Sequence, residues 1–203
     1  MMGTVTGDFP PQLCDRDAWT GGFYELAMKL GEHDDARLQS AVGVLARAAG
    51  ITGPWHVQWQ PDRVRRADWS VADLAAAQLR GQVQLPSGQQ VICAVIAIRE
   101  SDGDDWLLLG IPLEALGRGD ARIGGFPFDP DNGASVAWRR PIDDWFARLA
   151  DEVRLQAGFR LAAIGWEASG LVCAETQVHE PEDRPYALVL TDGTYLPACS
   201  ELA

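Results

Sequence analysis

The chain has 203 residues, 47% hydrophobic and 23% charged, with 29 Asp and Glu against 17 Lys and Arg. That length supports a sizeable core without a disulfide or metal. The net charge of −12 argues against a general binder of nucleic acid or anionic membrane, because such affinity rests on basic surface.

The excess is uneven: residues 1–100 carry −2 and residues 101–203 carry −10. Lys29 is the only lysine beside 16 arginines, which reads as the coding bias of a GC-rich bacterial gene. A halophile would be acidic throughout. Cys14, Cys93, Cys173 and Cys199 form no CxxC pair. A Cys14–Cys199 bridge is one reading, and four thiols in a reducing cytosol is the simpler one. Residues 1–12 have neither the basic start nor the apolar core of a secretory signal. The longest apolar run, Val91 to Ile98, is far too short to span a membrane. These features predict a soluble, cytoplasmic protein.

Residues 1–20 are rich in Gly, Pro and Asp and read as an extended lead-in. Tyr24, Leu26, Met28 and Leu30 alternate with Glu25, Ala27 and Lys29, the pattern of a half-buried strand ended by Gly31. Asp34 or Asp35 can cap a helix in which Leu38, Ala41, Val42, Leu45, Ala48 and Ala49 form one apolar stripe. Gly50 suits its left-handed stop. Pro54 to Gln60 reads as a strand with Trp55, Val57 and Trp59 on one side, and Ser70 with Asp73 resembles a capping box.

From Leu79 the pattern becomes a meander. Leu79, Val83 and Leu85 alternate with Arg80, Gln82 and Gln84. Val91 to Ile98 is apolar on both faces and predicts a central strand covered on both sides. Ser101 to Asp105 reads as a solvated acidic turn before a strand from Trp106 to Ile111. Residues 117–133, with five Gly and two Pro, predict a long loop or a boundary between lobes.

A second helix is predicted from Pro141, at its first position, to Gln156. Phe159 to Glu167 and Leu171 to Val178 read as a hairpin around Ser169-Gly170. Tyr186 to Thr191 and Thr194 to Leu196 read as another, turned at Asp192-Gly193. The expected fold is α+β: a mainly antiparallel sheet with two principal helices. Two similar lobes, 21–116 and 134–203, are an arrangement compatible with the order of elements.

No sequence motif carries a chemistry. His33, His56 and His179 lack partners at metal-ligand spacing, and HExxH, GxSxG and GxxxxGK[ST] are absent. Asp129 to Gly133 departs from a calcium loop in the places of Asn132 and Gly133 and in lacking the closing Glu. No metal or cofactor is therefore expected. Arg118-Gly119-Asp120 spells an adhesion tripeptide by chance.

One stretch stands out: Trp55, His56, Trp59, Arg63, Arg65, Arg66 and Trp69 crowd 15 positions. Arg and Trp are enriched where proteins bind partners. Flanking Asp62 and Asp68 offer a plainer account in local salt bridges. The leading expectation is a non-enzymatic binding or regulatory module, such as an inhibitor or immunity-type protein for a cationic partner, holding no nucleic acid and no membrane. The alternatives are an enzyme or small-ligand binder with a cleft between lobes near 117–133, and a homo-oligomeric structural protein.

Overall fold

The computed structural model describes residues 9–59, 63–99, 103–120, 134–171 and 184–198. Their framework is one nine-stranded antiparallel sheet. The strands are β1 (Phe23–Glu32), β2 (Thr52–Val57), β3 (Val64–Arg66), β4 (Leu79–Gln84), β5 (Gln90–Arg99), β6 (Asp104–Pro112), β7 (Leu161–Trp166), β8 (Ala187–Leu190) and β9 (Tyr195–Leu196). Their order is β3-β2-β4-β5-β6-β1-β7-β8-β9. Among the described residues there are five helices: α1 (Asp35–Ala48), α2 (Val71–Ala76), α3 (Leu113–Gly117), α4 (Ala134–Gln156) and α5 (Ala168–Leu171). Only α1 and α4 are long, so the α+β class with two principal helices is as predicted. The sheet is continuous from β3 to β9, with β1 paired to both β6 and β7.

Helix α1 forms for local reasons. Asp34 accepts hydrogen bonds from the backbone N–H groups of Ala36 and Arg37. At the other end Gly50 has φ of 62°, the Ile51 N–H bonds Ala46 O, and the Gly50 N–H bonds Arg47 O. That is a Schellman stop. Its stripe of Leu38, Ala41, Val42 and Leu45 is buried.

Helices α1 and α4 pack on each other and on one face of the sheet. The main core lies between them. Leu26, Met28, Leu79, Val95, Leu107 and Leu109 rise from the strands to meet Leu38, Leu45, Phe146, Leu149 and Val153.

The structure differs from the sequence reading at several points. Val91 to Ile98 lies in β5, an interior strand as expected, fourth in the order, but it is not covered along its whole length. It is buried through Val95, but Ile98 is 41% exposed. The strand covered along its whole length is β6, buried at all nine positions. Pro141 sits inside α4, not at its start. Strand β1 continues past Gly31 to Glu32 through an irregularity between Lys29 and Gly31.

Both edges of β7 are taken by β1 and β8, and Ser169-Gly170, expected at a turn, lies in α5; residues 172–178, expected as the second strand of that hairpin, lie outside the described residues. The last hairpin forms as expected, with Gly193 at φ of 88°. Within the lead-in, Pro11–Cys14 and Arg16–Trp19 make two short 3₁₀ turns that bury Leu13 and Ala18. Asp104 and Asp105 are not solvated turn residues. They lie in β6, buried, where Lys29 Nζ meets Asp104 at 2.8 Å and Arg99 Nε meets Asp105 at 3.2 Å. The Lys29 bond holds the Asp104 carboxyl below its ordinary pKa. Residues 121–133, with the calcium-like loop, lie outside the described residues, as do Cys173, Cys199 and His179.

Candidate functional site

Strand alternation sends successive side chains to opposite faces. Trp55 and His56 are neighbours in β2, so they part: Trp55 joins a small cluster on the face away from α1 and α4, while His56 points toward α2. The crowded stretch from Trp55 to Trp69 therefore makes two sites rather than one.

On the α2 side, His56 Nε2 lies 2.9 Å from Asp73 Oδ1. Asp73 Oδ2 accepts from the Ser70 hydroxyl and from the Asp68 N–H, each at 3.1 Å. Arg65 Nη1 stands 3.6 Å from the same carboxylate. The His56 bond, with the Asp68 N–H second, lowers the Asp73 pKa to about 2. Ser70 in turn caps α2 by accepting from the Asp73 N–H. Ser70 touches the carboxylate and not the imidazole, so the three groups do not make a nucleophile with its base. The cluster ties β2 and β3 to α2. Trp69 packs against the main core beside it, and Arg63 is exposed.

On the opposite face the strand registers align a row: Arg66, Trp55, Arg80, Ala94, Gly110, Glu25 and Gly165. Arg80 is 3% exposed. Its guanidinium carbon lies 4.1 Å from the Trp19 ring centre and 3.9 Å from that of Trp59. Nη1 donates to Leu13 O at 2.8 Å. The Gln78 carboxamide oxygen, in the orientation that satisfies both groups, accepts from Nη2 and Nε at 3.2 Å. Among the described residues no carboxylate faces this cation. Burial accordingly pulls the Arg80 pKa down to about 10, and two π faces with three hydrogen bonds replace a counter-ion.

Around this buried cation lies an exposed aromatic and cationic rim. Trp59 is 36% exposed and has φ of 61°, left-handed backbone that a bulky residue rarely adopts. Such strain clusters at functional positions. Arg16 lies 5.8 Å over the Trp59 ring and Arg66 4.9 Å over Trp55. Trp19 meets Phe23 and Trp59 edge-on, each at 6.4 Å. A surface of this composition can take planar or carboxylate-bearing groups from a protein partner.

Trp55, Trp59 and Arg66 thus belong to this surface, and His56, Arg65 and Trp69 to the other. The sequence reading missed Trp19, Arg16 and Arg80 on the first, and Asp73 as the partner of His56 on the second. Arg80 carried no warning signal: in the alternation of β4 it counted as a polar residue facing water.

Two further buried polar groups lie away from both surfaces. Under α4, Tyr24 donates its hydroxyl hydrogen bond to Asp143 Oδ1, and Arg139 is 1% exposed beside them. Burial first, opposed by the Tyr24 bond and Arg139, pushes the Asp143 pKa up to about 6. Glu25 is 2% exposed and accepts from the Ser169 N–H at 2.7 Å. Its pKa is raised by burial, against that bond.

No protein-family model, curated protein or solved structure matches this chain.

Proposed function

We propose that this protein is a non-catalytic binding or regulatory module for a cationic protein, of the inhibitor or immunity type. The observation that carries this reading is the partition of charge. Residues 1–100 carry a net −2 and residues 101–203 a net −10.

Nearly all the excess thus lies in the C-terminal half of the chain. Four of its acids fall within nine positions: Glu175, Glu180, Glu182 and Asp183. Charge so concentrated steers a basic partner from a distance. The Trp59 rim then supplies an aromatic anchor of the kind that dominates protein interfaces.

No helix among the described residues is long and apolar enough to cross a membrane. The working setting is the cytoplasm, consistent with free thiols at Cys14 and Cys93.

The test uses cytochrome c as a cationic probe and a random DNA duplex as its opposite. Binding of the probe at low salt should weaken steeply toward 0.15 M, where screening acts over roughly 8 Å. Changing Glu175, Glu180, Glu182 and Asp183 to Gln or Asn should weaken it further. Tight duplex binding lost on Arg63→Ala, Arg65→Ala and Arg66→Ala, with no binding of the cationic probe, overturns the proposal.

A further inference from the structure

The outward side of α4 carries a heptad stripe: Pro141, Trp145, Arg148, Glu152 and Leu155, spaced 4-3-4-3. The inward side is already occupied, since Ile142, Phe146, Leu149 and Val153 are buried in the main core. Of the stripe, only Trp145 packs partly against that core.

Its composition is nonetheless not that of an idle surface. Leu155 is 65% exposed, the most open large apolar side chain among the described residues. Trp145 is half-buried, held by a tilted contact with Phe146 at 4.8 Å between ring centres. Beside it a groove of about 370 Å³ runs between α1 and α4, floored by Val44, Trp145 and Leu149. Its lips include Arg148, Glu152 and Arg47, and Arg47 is tethered across the helix pair to Gln156 Oε1 at 3.2 Å. Arg148 and Glu152 are exposed and make no ion pair among the described residues.

The order of these residues is self-complementary. In an antiparallel pair of helices, the two stripe positions of one helix face the opposite positions of the other. Let a two-fold axis pass level with residue 150 on the outward side of α4. Arg148 then faces Glu152 of the partner subunit, and Glu152 faces the partner's Arg148. By the same register, Leu155 faces the partner's Trp145, beside the groove. Each contact occurs twice, as a two-fold interface requires. No other charged residue occupies the stripe, so this register leaves no like charges opposed.

We propose that α4 is a homodimerisation surface, in which the stripe Trp145, Arg148, Glu152 and Leu155 of one copy pairs antiparallel with that of a second. This does not depend on the proposed binding of a cationic partner. One helix face is a small contact, at the weak end of specific interfaces below about 1,200 Å² in total. The net charge of −12 also opposes self-association. The dimer should thus be in dynamic exchange with monomer and populated at high protein concentration.

Sedimentation velocity of the full chain at 0.15 M salt, from about 5 to 500 μM, should show monomer passing to dimer, the range expected for a weak interface. Leu155→Asp should hold the chain monomeric. Glu152→Arg sets two arginines against each other, and Arg148→Glu two glutamates. Each should weaken association at least roughly tenfold, as like-charge juxtaposition does. The double variant Arg148→Glu with Glu152→Arg restores complementarity in the two-fold register and should return the dimer to near its original strength. Because these positions are exposed, circular dichroism should be unchanged in every variant. A wild-type chain that stays monomeric throughout overturns the proposal. So does a dimer indifferent to the single reversals, or one that the double reversal fails to restore.

Discussion

The two faces of the sheet are built on different principles, although the same strands supply both. The face under α1 and α4 is a continuous apolar layer, interrupted by Tyr24, Asp143 and Arg139. The opposite face breaks into three small apolar clusters, with Arg80 and Glu25 buried in the row of residues that crosses them. Two long helices can lay an apolar stripe along many strands at once. Short 3₁₀ turns and α5 cover only patches, so the second face gains order from aromatic rings and hydrogen-bonded ions. Burial of apolar area is non-directional, whereas a sandwiched guanidinium holds only in one geometry. The second face therefore depends on individual residues more than on total area.

The strongest test of this contrast is a truncation beneath the helices. Phe146→Ala removes a fully buried ring from the apolar layer and should cost about 3–5 kcal/mol in chemical denaturation. A cost under 1 kcal/mol would mean that α4 is not part of the main core.

Next comes the one ionisable carboxylate within that layer. With its pKa raised to about 6, the folded Asp143 takes up a proton more readily than the unfolded chain does. The resulting stability is fully present below the unfolded pKa near 4 and is lost as pH rises through 6. Asp143→Asn removes this dependence. Relative to wild type, the variant should gain roughly 2–3 kcal/mol between pH 4 and pH 7, because each tenfold change in proton affinity is worth about 1.4 kcal/mol. A constant difference across that range would show that Asp143 is not held in a desolvated site.

On the second face, Arg80→Leu keeps bulk but leaves Leu13 O and Gln78 without their donor. Glu25→Ala likewise leaves the Ser169 N–H without its acceptor. Each should cost about 1–3 kcal/mol, the penalty of an unsatisfied buried group. The smallest effect belongs to the rim: Arg66→Ala should cost only about 0.5–1 kcal/mol, as for an exposed cation over an indole. Near-equal effects at Arg80 and Arg66 would erase the distinction between a buried structural ion and a surface contact.

Glu25 illustrates how far the sequence could be read. The alternation around it correctly separates Tyr24, Leu26, Met28 and Leu30 from Glu25, Ala27 and Lys29. It suggests that the second set faces water and that Glu25→Ala should change little. The periodicity reports which side chains share a face, and not whether that face is covered. Cover comes from distant segments, here α5 and the turn after β7, which a local pattern does not contain. The same limit explains Arg80, and it explains why a single crowded stretch divides between two sites. Trp55 and His56 are adjacent in the chain and opposite in the sheet. The partners that define their surroundings, Arg66 with the Trp19 lead-in and Asp73 with α2, are brought to them by pairing and packing.

The sequence by itself determined the local events. It set the Asp34 cap and Gly50 stop of α1, the apolar stripe between them, the turn at Asp192-Gly193 and the alternation within β1 and β4. It also settled the α+β class and the net charge. These depend on residues within a turn or two of one another, where propensity and hydrogen-bond geometry act directly. Tertiary structure alone decided the order of nine strands, the placing of β6 and β1 at the centre, the burial of both faces of β1 and the cage around Arg80. It also decided that Arg148, Glu152 and Leu155 remain outside the core, with Trp145 packed partly against it. Those outcomes depend on which surfaces exclude water from which others, and that is a property of the assembled chain.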